Sequence, residues 1–241
     1  MIAASMTEVT PASHRRRPVG SLRIVIPALD AEPTIGGVVA GVQRALPAAS
    51  VVVVDDGSRD RTSAVAAAAG ADVIVLDHNR GKGAALRVAI AGALDDAVDA
   101  IVTVDADGQH DPSVAPALVA ALADADVVIG VRRREGSRMP LHRRLSNAIS
   151  SWAISRCAGV RLPDTQSGYR AIRAEVLAHV QPRGDRYEYE TDFLILAARA
   201  GYRIAGVPVP TIYGAPSHFR PLHDAARVVA TIWRHRREAF R

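Results

Sequence analysis

Short apolar runs alternate with longer amphipathic stretches along the first 130 residues of the chain. The runs predict strands at 22–27, 51–54, 72–76, 100–104 and 126–130. The stretches between them are bounded by proline, aspartate or glycine, which predicts helices at 34–46, 60–69, 82–94 and 112–123. Because strands that are apolar throughout are buried on both faces, the alternation predicts an α/β fold with a mostly parallel sheet flanked by helices.

The pattern changes after residue 130, where a charged loop begins. An amphipathic helix is predicted at 141–157, with Leu141, Leu145, Ile149 and Trp152 on its apolar face. The remaining elements are a loop leading into a strand at 163–173, a helix at 188–200, a strand at 203–208 and a basic amphipathic helix at 221–240. We expect a disordered lead-in at 1–20, one domain at 21–215 and a basic C-terminal helix at 216–241.

The composition excludes several classes of protein. A chain of 241 residues can form a core without disulfides or a structural metal. Its one cysteine, Cys157, excludes a disulfide framework and a cysteine-based zinc finger. No stretch approaches the roughly 18 apolar residues of a membrane span. The N-terminal arginines are not followed by the apolar segment of a secretory signal, so we expect a cytoplasmic protein.

The net charge of +5 has two explanations. It fits a polyanionic or membrane partner. However, Lys82 is the only lysine, and a chain rich in alanine and arginine also results from a biased coding sequence. The position of each charge is therefore more informative than the sum. Aromatic residues make up only 4% of the chain, which argues against nucleic acid as a partner because single strands bind by stacking on aromatic rings.

Polar clusters follow four of the predicted strands. They lie at 27–32, 55–58, 77–83 and 105–110. In parallel α/β sheets, ligands bind at the carboxyl ends of the strands. The clusters therefore predict a ligand site at one edge of the sheet.

The cluster at 105–110 has the chemistry of a metal site. Asp105 and Asp107 are two residues apart at a strand end, and Gln109 offers a further oxygen. Mg²⁺ and Mn²⁺ take oxygen ligands and keep positions open for water and phosphate. A plain polar turn is the alternative, whereas an EF-hand is excluded because His110 replaces its glycine and Pro116 its glutamate.

Two other clusters fit a nucleotide, with alternatives open. Asp55 can accept hydrogen bonds from a base or ribose. Alternatively it can cap the helix that begins near residue 60, although Ser58 and Asp60 are better placed for capping. Lys82 lies between two glycines near a helix start, where anions are favoured. This glycine pattern is neither a P-loop nor a dinucleotide fingerprint.

Five segments in this order resemble a known family: VIPALDAEPTI, VVVVDDGSRDRT, NRGKGAAL, VDADGQHDP and DTQSGYRAI. Together they resemble the family 2 glycosyltransferases of the GT-A fold, and most closely the dolichyl- and polyprenyl-phosphate sugar synthases. The resemblance extends from Leu22 to about Arg227. It implies a nucleotide-sugar half at 21–130 and an acceptor half at 131–215.

The resemblance also implies roles for residues of the first half. Asp105, Asp107 and Gln109 match the metal and diphosphate site. The nucleotide-binding residues that it implies are Pro27, Asp30, Glu32, Asp55, Asp56, Lys82, Asp105 and Ala106. Most relatives have asparagine where Asp30 stands, which leaves the base open between uridine and guanosine.

The second half carries the residues implied for the acceptor. Arg132 and either Arg143 or Arg144 match phosphate-binding arginines, and Glu190 and Asp192 match acids near the acceptor. His218 departs from the lysine that is usual in relatives. The acceptor and phosphate residues so implied are Arg132, Arg143, Arg144, Asp164, Gln166, Ser167, Ser217, His218 and Arg220, and the catalytic residues are Asp107, Glu190, Asp192 and Arg132.

The reaction implied is inverting, metal-dependent transfer of mannose or glucose from a nucleotide-sugar to a polyprenyl phosphate. A phosphate acceptor is already ionised near neutral pH and needs no strong base. A hydroxyl acceptor on a glycan or metabolite would instead require Glu190 or Asp192 to act as a general base. Both acids could instead stabilise a helix N-terminus.

The basic C-terminal helix fits either the inner face of the cytoplasmic membrane or packing on its own domain or a dimer partner. A non-catalytic nucleotide-sugar-binding module is disfavoured by the intact carboxylates.

Overall fold

A seven-stranded mixed sheet forms the centre of the molecule. The computed structural model describes residues 16–132, 141–162, 164–210, 230–231 and 233–235, with only the backbone for 141–149. The strands are β1 (Leu22–Ala28), β2 (Ser50–Asp55), β3 (Asp72–Val75), β4 (Ala100–Thr103), β5 (Val127–Arg132), β6 (Arg170–Arg173) and β7 (Ile204–Val209). Their order across the sheet is β3-β2-β1-β4-β6-β5-β7. Only β6 is antiparallel to its neighbours, which confirms the predicted mostly parallel sheet.

Helices cover both faces of this sheet. They are α1 (Glu32–Ala45), α2 (Thr62–Ala68), α3 (Lys82–Asp95), α4 (Ala115–Ala121), α5 (Leu141–Ala158), α6 (Ala174–His179) and α7 (Glu188–Arg199). Successive strand residues point to opposite faces, so Val25 joins one core layer, with α3, α5 and α7, and Ile24 joins the other, with α1 and α4. Residues 230–231 and 233–235 are also helical. Within the described residues, no helix is both long and apolar enough to cross a bilayer.

Three details differ from the predictions. Residues 16–20 fall within the predicted lead-in, yet the Arg16 guanidinium lies 2.8 Å from the buried carboxylate of Asp126. The helix α6 was not predicted, because its six residues are too few for a periodic pattern to be recognised. The described packing face of α5 consists of Ile154, Cys157 and Ala158, whereas Trp152, predicted on the apolar face, is 67% exposed.

Candidate active site

The polar loops meet because of how the strands are ordered. The strands β2, β1 and β4 are parallel neighbours, so the loops that follow them lie at one edge of the sheet. The strand β6 is antiparallel to β4, and its first residue, Arg170, pairs with Thr103, the last residue of β4. The 164–169 loop, which precedes β6, therefore reaches this edge as well.

Lys82 lies at the centre of a charged cluster at this edge. Its Nζ atom is 2.6 Å from Asp105 Oδ1 and 2.8 Å from Glu190 Oε2. Burial disfavours the charge of Lys82, but the two carboxylates outweigh it and hold the lysine pKa above its ordinary value. Burial likewise acts against the Asp105 anion, yet Lys82 and His110 keep the pKa of Asp105 below its usual range. Both ends of the bridge are therefore charged at neutral pH.

Asp107 adds a second carboxylate beside Asp105. Its Oδ1 accepts the backbone N–H of Gln109 at 3.0 Å. Burial and the negative charge of Asp105 raise the pKa of Asp107 and outweigh the Gln109 N–H, His110 and Lys82, which act in the opposite direction. The described residues contain no group of three or more His, Cys, Asp or Glu placed to hold a metal. Two protein carboxylates, Asp105 and Asp107, still fit Mg²⁺ or Mn²⁺, because these cations fill their remaining coordination positions with water and phosphate oxygens.

The 164–169 loop packs directly on Asp105. The Gly168 carbonyl accepts a hydrogen bond from Thr103 Oγ1 at 2.7 Å. A Cβ atom on Gly168 would lie 2.5 Å from Asp105 Oδ2, closer than side chains approach. His110 Nε2 is 3.3 Å from the same carboxylate oxygen, and its ring packs on Tyr169. The Asp105 carboxylate is thus enclosed from several sides.

Arg132 and Asp164, both implied in acceptor binding, pair with each other. The guanidinium donates from Nε at 2.6 Å and from its NH2 group at 2.7 Å to the two carboxylate oxygens. The backbone N–H of Arg132 is a third donor, at 3.2 Å. This bidentate pair joins the end of β5 to the 164–169 loop. Gln166 is half-buried and Ser167 is buried in that loop.

Asp55 and Asp56 organise the loops on the nucleotide side. Asp55 accepts the backbone N–H of Ser58 at 2.8 Å and the hydroxyl of Ser63. Asp56 accepts the backbone N–H groups of Arg80 and Gly81 at 2.7 and 2.8 Å. Burial raises the pKa of Asp56 despite these donors. Asp60 accepts the backbone N–H of Thr62, the first residue of α2, at 3.0 Å, although the N-cap position of this helix is Arg61.

The first loop holds the other nucleotide-side candidates. Asp30 has a φ of 47°, in the left-handed region that Asn and Asp tolerate best, and its carboxylate accepts the Arg59 N–H at 2.8 Å. Glu32 pairs with Arg61 at 2.9 Å, and hydrogen bonds from Arg61 lower the Glu32 pKa. Pro27 is buried in β1, and the Ala106 carbonyl accepts a hydrogen bond from Thr34 at 2.7 Å.

The two glycines around Lys82 have a packing role. A Cβ atom on Gly83 would lie 2.6 Å from Tyr189 Cβ and 2.8 Å from the Asp185 carbonyl carbon. The Ala84 N–H donates to the Asp185 carbonyl at 3.0 Å, so a donor of the first turn of α3 is already used. The glycines let the 185–189 segment approach, and the anion-attracting element here is the Lys82 side chain.

Glu190 and Asp192 face different surroundings although they are two residues apart. In a helix this spacing corresponds to about 200° of rotation. Glu190 points to Lys82, whereas Asp192 is buried and lies 2.5 Å from His235 Nε2 in the C-terminal segment. Asp192 Oδ2 also accepts the Arg183 N–H at 2.5 Å. Asp192 is therefore an anchor of the C-terminal segment and does not join the Lys82 cluster.

Comparison with known proteins identifies the family to which this arrangement belongs. The model of the family described as glycosyl transferase family 2 matches residues 23–181. The chain belongs to glycosyl transferase family 2. It is 37% identical over 199 residues to an uncharacterized protein of Methanocaldococcus jannaschii. The aligned region covers 79% of this chain and 81% of that protein.

Two further relatives of this family 2 glycosyltransferase have named activities. The undecaprenyl-phosphate mannosyltransferase of Micrococcus luteus is 36% identical over 179 residues, covering 68% of this chain and 72% of the relative. The glucosyl-3-phosphoglycerate synthase of Mycobacterium tuberculosis, solved with Mn²⁺, UDP and phosphoglyceric acid, superposes with a TM-score of 0.67 at 26% identity. The superposition covers 89% of this chain and 78% of that structure, and it confirms the expected GT-A fold.

Some of the predicted site residues lie outside the described part of the chain, and two residues that contact the charged cluster were not predicted. Arg143 and Arg144 lie on α5, whose side chains are not described there, and Ser217, His218 and Arg220 lie outside the described residues. Sequence reasoning assigned no role to His110 or Arg170, although both fall within segments that carry the resemblance. Two features could have singled them out: His110 follows Gln109 by one position and Arg170 follows Ser167 by three, and Arg170 is a charged residue at the start of an apolar strand.

Proposed function

We propose that this glycosyltransferase moves mannose or glucose from a nucleotide-sugar to a polyprenyl phosphate, with inversion and with Mg²⁺ or Mn²⁺. The observation that carries the proposal is the cluster of Lys82, Asp105 and Glu190 beside Asp107 at the carboxyl edge of β4. The relative that acts on undecaprenyl phosphate supports the choice of acceptor.

The donor occupies the edge formed by β1, β2 and β4. Asp105, Asp107 and Gln109 would hold the cation, whose charge would stabilise the nucleoside diphosphate as it leaves. Lys82, whose pKa is held above its ordinary value by Asp105 and Glu190, presents a second positive charge to the same diphosphate. The nucleoside lies against the loops that contain Pro27, Asp30, Glu32, Asp55, Asp56 and Ala106.

The acceptor phosphate is the nucleophile. One of its oxygens attacks the anomeric carbon while the bond from that carbon to the diphosphate oxygen breaks. The acceptor is already ionised near neutral pH, so no side chain has to remove a proton. Glu190 then orients Lys82 instead of acting as a base. The acceptor phosphate and the donor diphosphate are both anions, so their repulsion must be offset. Arginines of the second half serve this purpose: Arg132, Arg143 or Arg144, and Arg220. Ser217 and His218 add polar contacts to the phosphate beside Arg220.

A lipid acceptor requires contact with a membrane, and we propose that this is the inner face of the cytoplasmic membrane. The two tryptophans of the chain, Trp152 and Trp233, are 67% and 60% exposed on helical segments. Tryptophan is favoured at membrane–water interfaces because its ring is apolar and its N–H is polar. Arginines that surround Trp233 in the sequence suit anionic lipids.

A hydroxyl acceptor is the second candidate. Glu190 reaches the cluster and could serve as its base, and one structural relative was solved with phosphoglyceric acid, a small soluble molecule. In that case the proton of the hydroxyl would pass to Glu190 as the new bond forms. The two acceptors thus require opposite roles of the same carboxylate.

A panel of donors and acceptors tests the proposal. GDP-mannose, UDP-glucose, UDP-galactose and UDP-N-acetylglucosamine, each radiolabelled on the sugar, are incubated with Mn²⁺ and either a short polyprenyl phosphate or phosphoglyceric acid. We expect label in the organic phase with one donor, and no label there when the cation is chelated. Label transferred only to the soluble acceptor would establish the second candidate, and no transfer from any donor would refute both.

A further inference from the structure

Two buried arginines occupy the ends of β6. Arg170 is 2% exposed and Arg173 is 7% exposed. A buried guanidinium is tolerated only when its N–H groups find acceptors. Both arginines meet this requirement mainly with backbone carbonyls, but they do so at opposite ends of the strand. The comparison between them separates a role in stability from a role in the reaction.

Arg170 connects the 164–169 loop to the start of α7. Its Nε donates to the Ser167 carbonyl at 2.9 Å and its NH2 group to the Thr165 carbonyl at 3.1 Å. Its NH1 group donates to the Glu190 carbonyl at 3.2 Å. Because the guanidinium is rigid and planar, these three bonds fix the loop relative to the first turn of the helix.

The same guanidinium faces the Glu190 carboxylate. The NH2 group lies 3.9 Å from Glu190 Oε1, while Lys82 Nζ lies 2.8 Å from Oε2. Glu190 is therefore held between two cations, and Lys82 is shared between Glu190 and Asp105. If Glu190 moved away, Lys82 would pair with Asp105 alone and would compete with any divalent cation for that carboxylate.

We propose that Arg170 is a positioning residue that, through Glu190, keeps Lys82 shared and so leaves Asp105 able to bind the divalent cation. This inference rests on the proposed function in taking Asp105 as a metal ligand. It assigns to Arg170 a part in cation affinity that burial and packing alone would not produce.

The first test compares Arg170→Lys with Arg173→Lys. Lysine keeps the positive charge at each position, but its single ammonium nitrogen cannot span the separate carbonyls that the planar guanidinium fork reaches with different nitrogens. Arg173 is the matched control because it bonds the Leu122 carbonyl at 2.7 and 3.2 Å and the Arg17 carbonyl at 2.8 Å, at the far end of β6. We expect both variants to lower the thermal midpoint, and only R170K to weaken Mn²⁺ binding, by about tenfold, as measured by electron paramagnetic resonance with UDP present. Equal Mn²⁺ affinities in the two variants would overturn the proposal.

A double-mutant cycle with Glu190→Gln tests the route through Glu190. We expect E190Q alone to weaken Mn²⁺ binding and R170K to add less than about twofold in that background, because residues that act through one another are not additive. R173K should combine with E190Q additively. If R170K fails to fold, E190Q decides the question, since unchanged Mn²⁺ affinity in that variant contradicts the proposal.

The readout does not depend on the acceptor. Mn²⁺ binding with UDP requires no polyprenyl phosphate, so failed lipid transfer with normal Mn²⁺ binding would overturn only the proposed acceptor. Absence of Mn²⁺ binding by the wild-type protein would overturn both the role of Arg170 and the metal dependence.

Discussion

Replacing Gly168 by alanine should disable the site by a single steric contact. The backbone of Gly168 is not in the left-handed region, so alanine causes no strain of its own. The new Cβ would lie 2.5 and 2.6 Å from the two carboxylate oxygens of Asp105. Real Cβ contacts are essentially never below 3.0 Å, so the carboxylate or the loop must move by about 0.5 Å.

That movement is resisted on both sides. Asp105 is held by Lys82 at 2.6 Å and His110 at 3.3 Å, and the Gly168 carbonyl is held by Thr103. Overpacking of this kind costs about 1–3 kcal/mol of stability. Misplacement of catalytic groups by about 1 Å can cost about 100-fold in rate, so we expect kcat/KM to fall by between about 10- and 100-fold.

The assay is steady-state transfer over a range of Mn²⁺ concentrations, with the thermal midpoint measured alongside. Gly37→Ala is the control, because nothing lies within 4 Å of its Cβ position on the exposed side of α1. We expect G37A to gain about 1 kcal/mol from helix propensity and to keep wild-type activity. Wild-type kcat/KM and Mn²⁺ dependence in G168A would show that the position of the Asp105 carboxylate is unimportant for turnover.

Three further perturbations test other parts of the structure. Asp107→Ala should lower Mn²⁺-dependent kcat/KM by at least about 100-fold, because the cation loses a ligand; full activity would remove Asp107 from the site. Burial raises the pKa of Asp192, but hydrogen bonds from His235 and Arg183 outweigh it, so the folded-state pKa is lowered and its stabilising contribution is lost as pH falls through that value. Asp192→Asn should therefore lower the free energy of unfolding by about 3 kcal/mol at pH 7. In urea titrations at several pH values, the stability of the variant should fall less than that of the wild type as the pH is lowered. An equal fall in both proteins would contradict this. Replacing Trp152 and Trp233 together by serine should reduce sedimentation with anionic vesicles, and unchanged sedimentation would refute their membrane role.

The arginines of this protein serve structure more than the net charge suggests. Arg170 and Arg173 are buried and bond backbone carbonyls. Arg199 connects the Cys157 carbonyl to the His235 carbonyl at 2.9 and 3.0 Å. Several positive charges are thus committed inside the fold, so the net charge overstates what is available for phosphate or lipid.

The helix α7 contacts both the charged cluster and the C-terminal segment. Glu190 enters the charged cluster, while Asp192, half a helical turn away, holds His235. Trp233, two residues before His235, is exposed. The C-terminal segment is therefore fixed to the helix that carries Glu190.

Much of the fold followed from local patterns. The apolar strands, the helices between them and the acidic loops at the strand ends were predictable because strand and helix periodicities are local properties. The meeting of Asp105 with the nucleotide-side loops was also predictable, since parallel strands bring their carboxyl ends to one edge.

The sequence alone thus determined the α/β class, the presence of two carboxylates, Asp105 and Asp107, at the end of a strand, and the side of the sheet on which they lie. Only the tertiary structure decided that β6 is antiparallel, that Arg170 and Glu190 reach the site, and that Asp192 turns away from it. The physical reason is that strand direction and helix rotation are set by packing between residues far apart in the chain. Lys82 and Glu190, separated by more than 100 positions, are brought within 2.8 Å by that packing.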